Sequence, residues 1–214
     1  MMAALLYVGQ ADAVIVYDNG DPDGANGLSD IFSVEIGIDR EVADDFSLTE
    51  PVIVQDFQYS IIWNTLEADV ARSHRVRFYD DAGGVPAVTP FSDQTITSWS
   101  SATGGTYFGR TEIIYTADLN TGVPLDPGTT YWVSMQPEGP ENAFWLTTTQ
   151  KGGAVYVDYP DAGFPKWTPG IDVFGEDYDV SFKLTGTIVP EPSTLLVWSL
   201  LAALGIGAAW SRRK

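Results

Sequence analysis

Cysteine is absent from the 214 residues. Disulfide staples, thiol nucleophiles and Cys-based zinc or iron–sulfur sites are therefore excluded. Histidine occurs once, as His74, and no Gly-x-Ser-x-Gly elbow accompanies it, so a serine-hydrolase triad has little to draw on. Positive charge is scarce: 11 Lys and Arg against 29 Asp and Glu give a formal −18. The segment from Glu191 onward holds one acid and three bases, so the rest carries −20. Such a body repels nucleic acid and anionic lipid, and no nucleic-acid partner is expected. The body also lacks a helical apolar stripe and an internal repeat, which argues against bundles, propellers and solenoids.

What is present is hydrophobic material for one medium domain, 44% of residues with 13% aromatic, punctuated by 21 Gly and 13 Pro. Short β-branched and aromatic runs alternate with turn residues. Strands are expected at 14–17, 31–36, 41–48, 52–63, 73–79, 95–100, 107–119, 130–136, 143–148, 154–157 and 179–188. Several alternate with period two, as Val76 and Phe78 do against Arg75 and Arg77, so one face packs and the other meets water. The fold class is all-β: an antiparallel β-sandwich over 14–189, jelly-roll-like in view of its strand number and length.

The two ends differ from the body. Residues 3–9 are apolar and Ala11-Asp12-Ala13 has the small-x-small form of a secretory cleavage site. Residues 1–13 are expected to be a truncated signal peptide with its natural start upstream; the alternative is an ordinary first strand. At the other end, residues 193–211 carry no charge and would span about 28 Å as a helix, the thickness of a bilayer core. Arg212, Arg213 and Lys214 follow as a positive stop that keeps to the cytoplasm and puts the acidic body outside. Before the apolar run stand Pro190, Glu191 and Pro192, which cannot continue a strand or helix and leave an extended, accessible segment.

This tripartite tail resembles the PEP-CTERM sorting signal: Pro-Glu-Pro, a transmembrane helix, a basic cluster. The resemblance implies export across the inner membrane of a Gram-negative bacterium that makes extracellular polysaccharide. It also implies recognition by an exosortase, a membrane transpeptidase-like enzyme. Pro190, Glu191 and Pro192, with Arg212, Arg213 and Lys214, would be a substrate for processing. The protein would be held in the inner membrane before that step and reach the surface or matrix after it. "YDNGDPDGANGLSD", "EVADDFSLTEPVIVQDFQYSIIW", "PLDPGTTYWVSM" and "DYDVSFKLTG" are similar, more loosely, to jelly-roll ectodomains that carry such tails. They imply an architecture and no catalytic residue.

Four constellations in the body bear on chemistry. Asp18, Asp21 and Asp23, with Asn19 and Asn26, offer oxygen ligands for Ca²⁺ on a Gly-rich loop, joined by Asp44 or Asp45. Ser29 at the twelfth position and Pro22 at the fifth reject an EF-hand, and a plain turn accounts for the same residues. Asp44 and Asp45, adjacent on a strand, point to opposite faces and make a poor acid/base pair; Asp177 and Asp179 read as a solvated strand start. His74 sits among Arg72, Arg75 and Arg77 and reads as a surface strand residue, with the arginines as a small basic stripe for an acidic polysaccharide or for solvent. Of Trp63, Trp99, Trp132, Trp145 and Trp167, the last lies between prolines and is expected as an exposed platform for a sugar ring. Tyr131 and Val133 alternate with Trp132, so one of the two sets is expected to be exposed. The functional expectation is an exported surface or matrix protein, structural or ligand-binding, associated with exopolysaccharide. The alternatives are a carbohydrate-binding module with structural calcium and, third, a polysaccharide hydrolase.

Overall fold

Val52–Trp63 is dense in β-branched and aromatic residues with polar residues between them, and it forms the longest expected strand to keep its bounds. The computed structural model describes residues 13–65, 70–149, 153 and 155–190. Fifteen strands occur among these: β1 (Val14–Asp18), β2 (Pro22–Ser29), β3 (Ile31–Ser33), β4 (Ile38–Ser47), β5 (Val52–Trp63), β6 (Ser73–Asp80), β7 (Ser92–Ile96), β8 (Trp99–Tyr107), β9 (Arg110–Leu125), β10 (Thr130–Glu138), β11 (Ala143–Thr148), β12 (Tyr156–Asp158), β13 (Thr168–Pro169), β14 (Asp179–Val180) and β15 (Phe182–Ile188). One short helix, α1 (Gly170–Phe174), follows β13. Residues 1–12 and 191–214, which hold the expected signal peptide and membrane span, lie outside the described residues. Among the described residues no helix is long and apolar enough to cross a membrane.

The strands form two curled sheets. In the first, β5 pairs along one edge with β9 and along the other with β15 and then β11. β8 lies outside β9, β1 outside β15, and β2 outside β11. In the second, the order is β13-β12-β4-β3-β10-β6-β7, with β4 also paired to β10. Pairing is antiparallel except for one parallel bridge between β3 and β10. The inward residues of both sheets make one core. Phe57 and Phe182 stack at 5.6 Å between ring centroids, with Trp145 edge-on to both and Tyr59 edge-on to Trp145. The result is an all-β, sandwich-like domain.

Three strands are wholly or largely absent from the expectation: β2, β8 and the two-residue β13. β2 was expected as loop, because Pro-Asp-Gly-Ala-Asn-Gly has almost no β propensity. It is a strand because Phe144, Trp145 and Leu146 supply a pairing edge, and its proline stands at the first position, where a missing donor is tolerated. β8, Ser- and Thr-rich around a Gly-Gly pair, is exposed along most of its length and is held as a strand by β9. The expected strand 95–100 is accordingly two strands, broken after Ile96.

A second correction concerns exposure. Tyr131, Trp132 and Val133 are all buried. Trp132 points away from the main core into a second apolar layer with Ala43, Tyr79 and Trp167, flanked by Tyr156. Chain that follows β12 returns over the outer face of the second sheet, so both faces of β10 are covered.

Candidate functional site

The two acidic motifs of the sequence meet through an asparagine. Asn19, directly after β1, is buried and donates from Nδ2 to Asp44 Oδ2 (3.0 Å) and to the carbonyl of Val180 (2.9 Å). The Val180 amide also donates to Asp44 Oδ2 (2.9 Å), and the Asp45 amide to Oδ1 (2.9 Å). Asp44 thus ties β1, β4 and β14 together inside the sandwich. Burial first, and then the Asp179 carboxylate, push its pKa well above the ordinary value, against the pull of the two amide donors. As expected, Asp45 points the other way. Asp179, expected as solvated, is buried; its carboxylate and that of Asp45 lie on either side of Gly153, where a Cβ would stand 3.3 Å and 2.3 Å from their oxygens.

The remaining calcium candidates are placed elsewhere. Lys183 of β15 bonds Asp21 at 2.9 Å and pairs with Asp18 at 3.3 Å. Asp18 and Asp23 also accept the amides of Gly20 and Ala25 in Asx turns, and Thr147 Oγ1 donates to Asp23. Among the described residues no group of three or more His, Cys, Asp or Glu side chains could hold a metal ion.

His74 is not on the surface. Its ring is fully buried, with Nδ1 2.7 Å from Tyr59 Oη and the rings of Trp99 and Tyr115 each at 4.7 Å. The arginine stripe is divided: Arg77 bonds Glu41 at 2.6 Å, Arg72 pairs with Glu35, and Arg75 lies over the Phe32 ring. Glu41 is itself buried on the outer face of the second sheet, where Tyr79 Oη (2.5 Å) and Ser134 Oγ donate to it. Burial opposes the charge on Arg77, but Glu41, Tyr79 and Asp93 outweigh it and the pKa is raised. This network is a largely buried plug whose polar groups are bonded to one another.

Trp167, expected as an open sugar platform, is only 8% exposed. A positive φ of 59° turns the ring inward. It meets Tyr79 edge-on at 5.1 Å, donates from Nε1 to the carbonyl of Ala87 (3.1 Å), and carries Lys166 Nζ over one face. The ring is spent on packing.

The outer face of the first sheet is different. Gln58 and Ser60 of β5, Glu112 and Ile114 of β9, and Lys183 alternate with core residues and so point outward. Yet Ser60 is 5% and Glu112 4% exposed. The cause is the bulge in β8 between Thr103 and Thr106. A Cβ at Gly104 would stand 2.0 Å from Glu112 Oε2, and the Gly105 amide donates to that oxygen at 2.6 Å. A side chain at Gly104 would have to displace the Glu112 carboxylate from the Gly105 amide, and the bulge carries the end of β8 over the sheet. Tyr107 then crosses toward β2: its ring lies 3.2 Å from the Cβ positions of Gly24 and Gly105, and its hydroxyl points at the carbonyl of Pro22 (3.5 Å). Beneath it is a cleft of about 160 Å³ lined by Asp21, Gln58, Ser60, Glu112, Ile114 and Lys183. Burial, then Glu112, Asp21 and Asp23, raise the pKa of Tyr107 and keep the phenol neutral. A wider groove of about 470 Å³ lies between β7 and residues 121–124, but the Gln94 side chain straps it by bonding both the amide and the carbonyl of Thr121.

Sequence reasoning missed the cleft. Its residues are far apart in the chain, and the one local signal was Gly104-Gly105 inside a Thr-rich run, a mark of a bulge or close backbone approach. No protein-family model matches the chain, and no curated protein matches it.

Proposed function

We propose that this chain is an exported protein of jelly-roll type. It is sorted by an exosortase and works at the cell surface or in the extracellular matrix as a structural or ligand-holding partner of extracellular polysaccharide. The observation that carries this reading is the junction at the end of the sandwich. β15 stops at Ile188, the Val189 amide makes a last bond to the carbonyl of Pro51 (2.8 Å), and Pro190 is exposed. The Pro-Glu-Pro motif therefore begins two residues after the last described strand, at an exposed proline, which is the placement a processing enzyme requires. The jelly-roll assignment draws support from two large curled sheets in which the first strand lies beside the last. A non-catalytic role draws support from the use of His74, Asp44 and Glu41 in holding the structure.

A carbohydrate-binding module is the second reading, favoured by the cleft under Tyr107. The primary reading is tested by replacing Pro190, Glu191 and Pro192 with alanine in the native host, and separately by deleting the exosortase. Either change should hold the protein in the inner-membrane fraction while the wild type is found outside. An unchanged distribution in both strains sinks the sorting claim.

A further inference from the structure

On the polysaccharide-associated reading above, we infer that the cleft beneath Tyr107 is a binding site for one neutral pyranose ring of a polysaccharide chain. Size comes first. The cleft measures about 160 Å³, close to the closed cavity of about 150 Å³ that takes benzene; a hexopyranose has twice as many heavy atoms, so one ring fills the cleft and leaves part of its hydroxyl rim at the mouth. A longer ligand is accommodated as one ring seated and the rest outside, since the cleft opens to solvent.

Lining chemistry comes second. Tyr107 and Ile114 offer apolar surface, while Gln58, Ser60 and Glu112 place an amide, a hydroxyl and a carboxylate around it; Gln58 gives one N–H to Thr116 Oγ1 and Glu112 Oε2 accepts the Gly105 amide, so each has bonding capacity beyond that one contact. A pyranose matches that division: its C–H face packs on an aromatic ring and its rim of hydroxyls both donates and accepts. The site is built on paired strands and closed by glycine contacts, so little ordering is left for the ligand to impose.

Charge comes third and narrows the class. Asp21 and Glu112 line the cleft with Lys183, and Asp18 and Asp23 stand near it. Lys183 already serves Asp21 and Asp18, so an anionic sugar meets net negative charge while the one cation of the described lining is already paired. Polyuronates are excluded and neutral hexose polymers are admitted. The acidic body, read from composition as merely solvating, acts here as a filter.

The test uses the full chain in mild detergent and titration calorimetry. The probes are maltohexaose, cellohexaose and mannohexaose, the host's own extracellular polysaccharide, and oligogalacturonate as the acidic comparison. Two variants are measured against whichever neutral ligand binds: Tyr107→Ala, and Gln58→Ala as a milder change, each with its melting curve. The expected result is binding of a neutral ligand, weakened about tenfold by Tyr107→Ala and by a smaller factor by Gln58→Ala, with oligogalacturonate the weakest ligand. If Tyr107→Ala unfolds the protein, Gln58→Ala decides. Undiminished binding by the variants overturns the cleft and leaves the polysaccharide reading standing. Preference for oligogalacturonate overturns the assignment of a neutral ring. Absence of binding to every probe and to the host polysaccharide overturns both.

Discussion

On the second sheet, Trp132, Tyr79 and Glu41 point away from the core and are nonetheless buried, because Trp167 and the chain around it cover them. On the first sheet, Ser60 and Glu112 also point away from the core and are also buried, but beneath a strand end that arches over them and leaves a cleft. Both outer faces depart from the simple rule that alternate residues meet water. One departure is filled by aromatic rings and a satisfied ion pair. The other is roofed by Tyr107, packed against Gly24 and Gly105, with a cleft left beneath it. The difference teaches that burial alone does not mark a site: polar groups are bonded within the protein on both faces, and it is the space left under the cover that sets the first sheet apart.

The comparison can be broken at the filled face first. Glu41→Ala takes from the largely buried Arg77 and Tyr79 their shared carboxylate and is expected to cost about 3–5 kcal/mol in denaturant unfolding; a loss near zero would show that water reaches this face. Trp167→Ala removes a packed ring and is expected to cost about 3 kcal/mol while leaving glycan affinity unchanged. Loss of affinity with little loss of stability would restore Trp167 as a sugar platform.

At the open face, Gly104→Ala drives a methyl into Glu112 and should cost about 1–3 kcal/mol, together with binding in the cleft. An unchanged melting temperature would mean that the β8 arch is loose. The smallest effect lies between the faces, at Asp30. This buried carboxylate accepts the Val42 amide with Oδ1, and its Oδ2 has no partner among the described residues. Burial, then Glu41, raise its pKa well above the ordinary value, against Val42 and Arg77. The folded state therefore binds the proton more tightly than the unfolded one, which titrates near about 3.9. Stability from this group is present at low pH and declines as pH rises from about 4 through the folded value. Asp30→Asn should flatten that decline and gain about 1 kcal/mol at pH 7, read from urea melts across pH.

The strands with strong alternation could be read directly: β5 and β11 have their expected bounds, and β6 and β10 extend by only one and two residues. β2 and β8 could not, since their sequences favour turns and only a partner strand makes them extended. The acidic motifs were recognised as a pair, but the link between them is Asn19 to Asp44 rather than a shared ring of carboxylates. His74 and Trp167 were misplaced for one reason. Local polarity around a residue does not report the tertiary cover that lies over it, and both are enclosed by chain distant in sequence.

All of these distinctions concern a domain held to work outside the cell, so delivery is the point on which the account stands or falls. The measurement is the mass of the mature protein isolated from its own host, with its C-terminal peptide identified. The account predicts a chain ending near residues 190–194, free or carrying a new adduct. A chain that retains Lys214 in the inner membrane contradicts it.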